Sequence, residues 1–129
     1  MAGELILIVE DNRRNLKLAR DLLQHAGFWT VEAGTAGEGV ELVRERRPDL
    51  VLMDIQLPDA DGVSALRSIR ADPAIAATPV VAVTAFAMKG DRERFLAAGF
   101  DGYLSKPIDV KAFAAQVRDH LAGGRAGGR

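Results

Sequence analysis

The chain contains no cysteine among its 129 residues. Disulfide frameworks, thiol catalysis and thiolate metal sites are therefore excluded. Histidine is nearly as scarce: His25 and His120 are the only two, and two imidazoles so far apart in sequence do not compose a zinc site. Neither sign of charge dominates, since 17 Lys and Arg against 18 Asp and Glu give a formal net charge of -1. The strong basic excess of a nucleic-acid-binding surface is missing. Long apolar runs are missing too, with no segment near the roughly 18 residues that suggest a membrane span. The start, Met1-Ala2-Gly3-Glu4, has no basic region, and Leu5 to Val9 is too short for a signal-peptide core. A cytoplasmic domain with neither nucleic-acid nor membrane partners is the expectation.

What is present suffices for one domain with a real core: 48% hydrophobic and 27% charged residues are ordinary values for a globular chain. Leu5-Ile6-Leu7-Ile8-Val9, Leu50-Val51-Leu52-Met53 and Val80-Val81-Ala82-Val83 are continuous apolar runs, the pattern of strands buried on both faces. Thr30-Val31-Glu32-Ala33 and Gly102-Tyr103-Leu104-Ser105 are weaker strand candidates. Helical spacing fills the gaps. Leu16, Ala19, Leu22, Leu23 and Ala26 recur on one face, and Gly27 is a natural stop. Thr35 and Glu38 match a capping box opening a helix through Ala36, Val40 and Val43. Asp61-Gly62 precedes a helix through Leu66 and Ile69 that ends at Asp72-Pro73. Another is expected over Lys89 to Ala98 with Phe95 and Leu96 inward, and a last one, capped by Asp109, carries Phe113, Ala114, Val117 and Leu121 on one stripe.

Strand then helix, five times over, predicts an α/β three-layer domain with a parallel sheet. Right-handed crossovers and five strands favour the flavodoxin-like order 2-1-3-4-5. The domain is expected over residues 1–121, with a flexible glycine-rich tail over 122–129.

In such a sheet, ligands bind beyond the carboxyl ends of the strands. Glu10 and Asp11 follow the first strand, Asp54 the third, Thr84 the fourth and Lys106 the fifth. With strands one and three adjacent, Asp11 and Asp54 should share one crevice. Clustered carboxylates repel unless a cation holds them, and an all-oxygen set suits a hard cation such as Mg²⁺. Asp11 and Asp54 are the expected direct ligands, with Glu10 acting directly or through water, and the backbone carbonyl of Gln56 is a candidate for a further oxygen. A lysine and a hydroxyl aimed at the same point serve a transferring phosphoryl group. A carboxylate can itself be the nucleophile, giving an acyl phosphate, and Asp54, at the central strand end, is the candidate. Gly34, Gly37 and Gly39 follow the second strand and match no phosphate-binding loop; they read as turn and packing glycines. His25 at a helix end reads as structural, and Arg44, Arg46 and Arg47 as a solvated basic face.

Val9-Glu10-Asp11-Asn12, Leu52-Met53-Asp54-Ile55-Gln56-Leu57-Pro58, Asp61-Gly62, Val83-Thr84-Ala85 and Lys106-Pro107, in that order, resemble a two-component response regulator receiver domain of the CheY-like superfamily. The resemblance runs from about Leu5 to Leu121. Val83 to Met88 together with Asp101-Gly102-Tyr103 is most similar to single-domain regulators of the DivK type and to hybrid-kinase receivers. The resemblance implies that Asp54 accepts phosphate from a phosphohistidine of a histidine kinase or histidine phosphotransferase, that Glu10 and Asp11 hold Mg²⁺, and that Lys106 contacts the phosphoryl oxygens. It implies a switch in which Thr84 bonds the phosphoryl group and Tyr103 turns inward, and a cis Lys106-Pro107 peptide. Phe86, two residues past Thr84, has no polar group to orient a water, so a long-lived phosphoform is expected.

The expected function is that of a stand-alone, non-enzymatic receiver in a phosphorelay, a monomer or weak dimer acting on a downstream protein. The alternatives are a receiver fragment of a larger hybrid kinase or regulator, an aspartyl-phosphate phosphatase, a flavodoxin-like cofactor binder and a receiver-like domain that binds without phosphorylation. The phosphatase would need a second acid where Gln56 stands, and the last would usually have lost Asp54, Thr84 or Lys106.

Overall fold

The computed structural model describes residues 3–85 and 90–123. Ten elements alternate: β1 Leu5–Val9, α1 Arg13–His25, β2 Trp29–Ala33, α2 Ala36–Arg46, β3 Leu50–Asp54, α3 Gly62–Ala71, β4 Val80–Thr84, α4 Asp91–Ala98, β5 Gly102–Ser105 and α5 Phe113–Gly123. The five strands form one sheet in the order β2-β1-β3-β4-β5, and every pairing is parallel. Fold class and strand order are those expected from the alternation.

The apolar runs are buried on both faces because helices cover both. Leu7, Val9, Val51, Met53, Val80 and Ala82 pack against Val40 and Val43 of α2, Leu66 and Ile69 of α3 and Phe95 of α4. Their neighbours of opposite parity, Ile6, Ile8, Leu50, Leu52, Val81 and Val83, pack against Ala19 and Leu23 of α1 and Phe113 and Val117 of α5. This is the two-residue period of a strand read out on two separate cores.

Local chemistry sets most helix starts. Asn12 Oδ1 accepts from the Arg14 and Asn15 N–H groups at 3.0 and 3.1 Å. Asp61 Oδ1 accepts from the Ser64 N–H at 2.8 Å. Thr35 Oγ1 accepts from the Glu38 N–H at 3.1 Å. The Glu38 carboxylate takes the Gly34 N–H, one residue short of the reciprocal bond of a true capping box. Gly39 is the packing glycine expected of it: a Cβ there would stand 2.9 Å from a Val9 methyl.

Four expectations need correction. α4 begins at Asp91 within the described residues, and Leu96 is 40% exposed while Phe95 alone turns into the core. The Asp109 carboxylate caps a turn at Lys111 and Ala112, and α5 proper starts at Phe113. That helix continues through Gly123, because Leu121 still has the second core to pack on; residues 124–129 of the expected tail lie outside the described residues. Arg44 and Arg47 are more than a solvated face. Arg44 bridges Glu41 and Asp72, and Arg47, left-handed at φ 47°, donates to the Ala74 carbonyl.

Candidate functional site

The carboxyl ends of β1, β3, β4 and β5 meet on one edge of the sheet, and the polar residues that end those runs arrive there together. Asp54 is the last residue of β3 and is 4% exposed; Glu10 follows β1 directly and is 6% exposed. Asp11, next along, is exposed. One carboxylate oxygen from each of Glu10, Asp11 and Asp54 can be chosen so that all three lie within 4.8 Å of one another. Lys106, just past β5, reaches across β4 so that its Nζ stands 2.9 Å from Asp54 Oδ2 and 2.8 Å from Glu10 Oε1. Thr84 ends β4 buried, and its carbonyl accepts the Lys106 N–H at 2.7 Å, so the residue that roots the lysine is itself at the site. The peptide bond after Lys106 is cis.

The second carboxylate oxygens of Asp54 and Glu10 are held by backbone. Asp54 Oδ1 accepts from the Gln56 N–H at 3.0 Å, and Glu10 Oε2 accepts from the Asn12 N–H at 3.1 Å. The Glu10 backbone is fixed by a 2.9 Å bond from its N–H to the Ala33 carbonyl of β2. The loop after β3 folds back because the Gly62 N–H donates to the Ile55 carbonyl at 2.8 Å.

Electrostatics follow from crowding. Burial raises the Glu10 carboxyl above its ordinary 4.5, with the neighbouring Asp54 adding to the rise and Lys106 opposing it. Burial alone would lower Lys106, but its bonds to Glu10 and Asp54 outweigh that and hold it above 10.5. Three carboxylates against one ammonium leave the ionised cluster two negative charges in excess. An oxygen-only donor set with that excess fits a hard divalent cation.

Glu10, Asp11, Asp54 and Lys106 thus meet as their places in the sequence suggested, with Thr84 on the same rim. Gln56 lies beside Asp54, its side chain exposed. Tyr103, partly buried within β5, packs on the Phe95 ring with centroids 6.1 Å apart. Phe86 and Met88 lie outside the described residues. Two residues matter here for reasons the linear pattern hides. Gly62 admits no side chain, since a Cβ would stand 2.5 Å from the Asp54 carbonyl oxygen. Asp59 accepts from the Ala36 and Gly37 N–H groups at the start of α2, at 2.8 and 3.0 Å. The sequence marks Gly62 through the Asp61-Gly62 pair and Asp59 through no more than the turn-rich stretch Pro58-Asp59-Ala60-Asp61-Gly62.

A parallel sheet of this order with acids, a hydroxyl and a lysine at its carboxyl edge defines a class of signalling domain. The model of the response regulator receiver domain matches residues 6–118, and the chain belongs to that family, whose members act in two-component signalling. Over 116 residues it is 46% identical to the polar-differentiation response regulator DivK of Brucella anthropi, covering 90% of this chain and 94% of that protein. Among solved structures it resembles the receiver domain of a sensor histidine kinase of Pseudomonas aeruginosa PAO1, which holds a magnesium ion coordinated in its active-site cleft. The TM-score is 0.82 and the identity 36%, over 97% of this chain and 99% of that one. A CheY-like receiver domain protein of Methanospirillum hungatei JF-1 superposes with a TM-score of 0.83 at 27% identity, over 96% of this chain and 98% of that one. Among the described residues no helix is long and apolar enough to cross a membrane.

Proposed function

We propose that this receiver takes a phosphoryl group from a phosphohistidine of a histidine kinase or phosphotransferase onto the Asp54 carboxylate, in a Mg²⁺-dependent reaction, and that the product alters binding of a downstream protein. The observation that carries this reading is one cluster: three carboxylates within 4.8 Å of one another and a lysine 2.9 Å from Asp54.

Each residue has a task that its position supports. The Glu10 and Asp11 carboxylates, the Asp54 carboxylate and the Gln56 carbonyl would hold Mg²⁺. When bound, the cation neutralises charge on the entering phosphoryl oxygens. A carboxylate nucleophile has no proton to lose, so the step requires no general base. The P–N bond to the donor imidazole breaks as an Asp54 O–P bond forms, and the nitrogen keeps the electron pair. Lys106 is fixed beside the nucleophile in advance and offers its ammonium to the product. Thr84, adjoining Lys106 through its carbonyl, would turn its hydroxyl to the phosphoryl group, and Tyr103, now partly buried, would turn further inward behind it. That is a local charge change read out on a packed surface.

The reading is of a stoichiometric acceptor and not a turnover catalyst. It draws support from the match to DivK over nearly that protein's whole length. A phosphatase lacks comparable support, since exposed Gln56 stands where its second acid would be. Incubation with a small-molecule phosphodonor and Mg²⁺ should load about one acid-labile phosphoryl group per chain, and Asp54→Asn should load none. Full loading of the variant, or continuous release of phosphate from simple esters, would refute the assignment.

A further inference from the structure

Asp59 belongs to neither the acidic cluster nor the lysine contacts, yet both of its oxygens are used. Helix α2 begins with N–H groups that have no partner inside the helix. Thr35 takes that of Glu38. Those of Ala36 and Gly37 are taken by Asp59, 23 and 22 residues away, in the loop between β3 and α3. These bonds hold the Asp59 carboxyl below its ordinary 3.8, Gly37 contributing most and Ala36 next, against a smaller opposing effect of burial.

The loop so tied also carries Gln56. Its two ends are pinned near Asp54, by Ile55 N–H to the Val83 carbonyl at 3.1 Å and Gly62 N–H to the Ile55 carbonyl at 2.8 Å. Its outer part is held by Asp59. The other end of the same strut reaches the opposite wall of the cluster, because β2 runs into α2 and the Ala33 carbonyl of β2 accepts the Glu10 N–H at 2.9 Å. The turn between β2 and α2 thus braces both walls of the acidic cleft, Glu10 through Ala33 and the Gln56 loop through Asp59.

We propose that Asp59 is a positioning residue for the divalent-cation site, holding the β3–α3 loop so that the Gln56 carbonyl faces the acidic cluster. The inference rests on the Mg²⁺-dependent reading above. An asparagine at this position offers a single acceptor for two N–H groups and no charge to the helix start, so one bond of the tie is lost while the loop keeps its sequence. The control is Thr35→Ala, which removes a cap from the same helix and leaves the loop tie in place.

The test has two readouts on the full chain. In calorimetric titration with MgCl₂, Asp59→Asn should weaken binding about 10-fold, the range in which outer partners of metal ligands act, while Thr35→Ala binds as the wild type does. In Mg²⁺-free protein, amide hydrogen exchange at Gln56 should quicken together with Ala36 and Gly37 in Asp59→Asn, whereas in Thr35→Ala the change should centre on Glu38. Should Asp59→Asn fail to fold, the same comparison is made with Asp59→Glu, whose longer arm displaces the carboxylate and keeps its charge. Wild-type Mg²⁺ affinity with unchanged Gln56 exchange in the Asp59 variant overturns the inference alone, as does equal weakening by Thr35→Ala. A wild-type protein that binds no Mg²⁺ overturns the functional reading and this inference with it.

Discussion

At the scale of single residues, the site was legible wherever a polar side chain interrupts an apolar strand. Glu10, Asp54 and Thr84 are almost wholly buried, and a buried polar group at a strand end must meet others of its kind. Gly62 was legible as a helix start and as part of the Asp61-Gly62 motif, but not for its packing. Its need for a bare Cα comes from the approach of α3 to the Asp54 carbonyl, a distance across the fold that no local pattern encodes. Gly62→Ala sets a methyl 2.5 Å from that oxygen and 3.0 Å from the Ile55 Cα. Both are backbone atoms, so neither can rotate away. The expected cost is about 1–3 kcal/mol, read from urea denaturation, together with slower phosphoryl loading because the strand end must shift. Wild-type stability and loading would show that the loop yields without disturbing Asp54.

At the scale of elements, helix identity was readable from periodicity, but which face of a short helix turns inward was not always so. Helix α4 has eight residues, barely two turns, and Phe95 and Leu96 compete for one inward position; the Phe100 and Tyr103 rings decide for Phe95. Longer-range polar ties were equally hidden. Arg70 of α3 donates to the Ala76, Thr78 and Gly99 carbonyls and to Asp101, and the same Asp101 oxygen accepts the Val80 N–H. One guanidinium therefore links α3, the end of α4 and the starts of β4 and β5. Arg70→Met should lower the unfolding free energy by about 3 kcal/mol, because a part-buried carboxylate loses its cationic partner and three carbonyls lose a donor. A loss of less than about 0.5 kcal/mol in urea denaturation, the scale of an ordinary surface substitution, would mean that water replaces it.

His120 makes a related argument for α5. A Cβ on Gly102 would collide with its ring, so the imidazole sits directly on the bare backbone of β5. Burial lowers its pKa from 6.5, against the opposing pull of Asp119 and Asp101. A base depressed in the folded state takes its proton first in the unfolded chain. Its contribution is complete above 6.5 and erodes as the pH falls through that value towards the folded one. His120→Gln, which cannot titrate, should show a flatter stability profile between about pH 7 and pH 5. Equal slopes for the two proteins would mean that the ring is solvated.

At the scale of the whole molecule, the fold gathers three acids and one lysine onto one edge of a sheet whose central strands are largely apolar. Like charges so placed oppose folding, and the Glu10 carboxyl is raised first by its burial, with the neighbouring Asp54 adding to the rise. A cation that binds the folded cluster, and not the dispersed acids of the unfolded chain, must therefore stabilise the protein. At a hundred times its dissociation constant Mg²⁺ should add about 2.7 kcal/mol to the unfolding free energy. Asp11 isolates this effect because it is the exposed member of the cluster. Without cation, Asp11→Ala should change stability by no more than about 0.5 kcal/mol, since little packing is lost. With cation, the Mg²⁺-induced gain should nearly vanish. Paired urea denaturation curves, with EDTA and with saturating MgCl₂, measure both halves. A variant that keeps the full gain would remove Asp11 from the cation site and leave Glu10 and Asp54 to hold it.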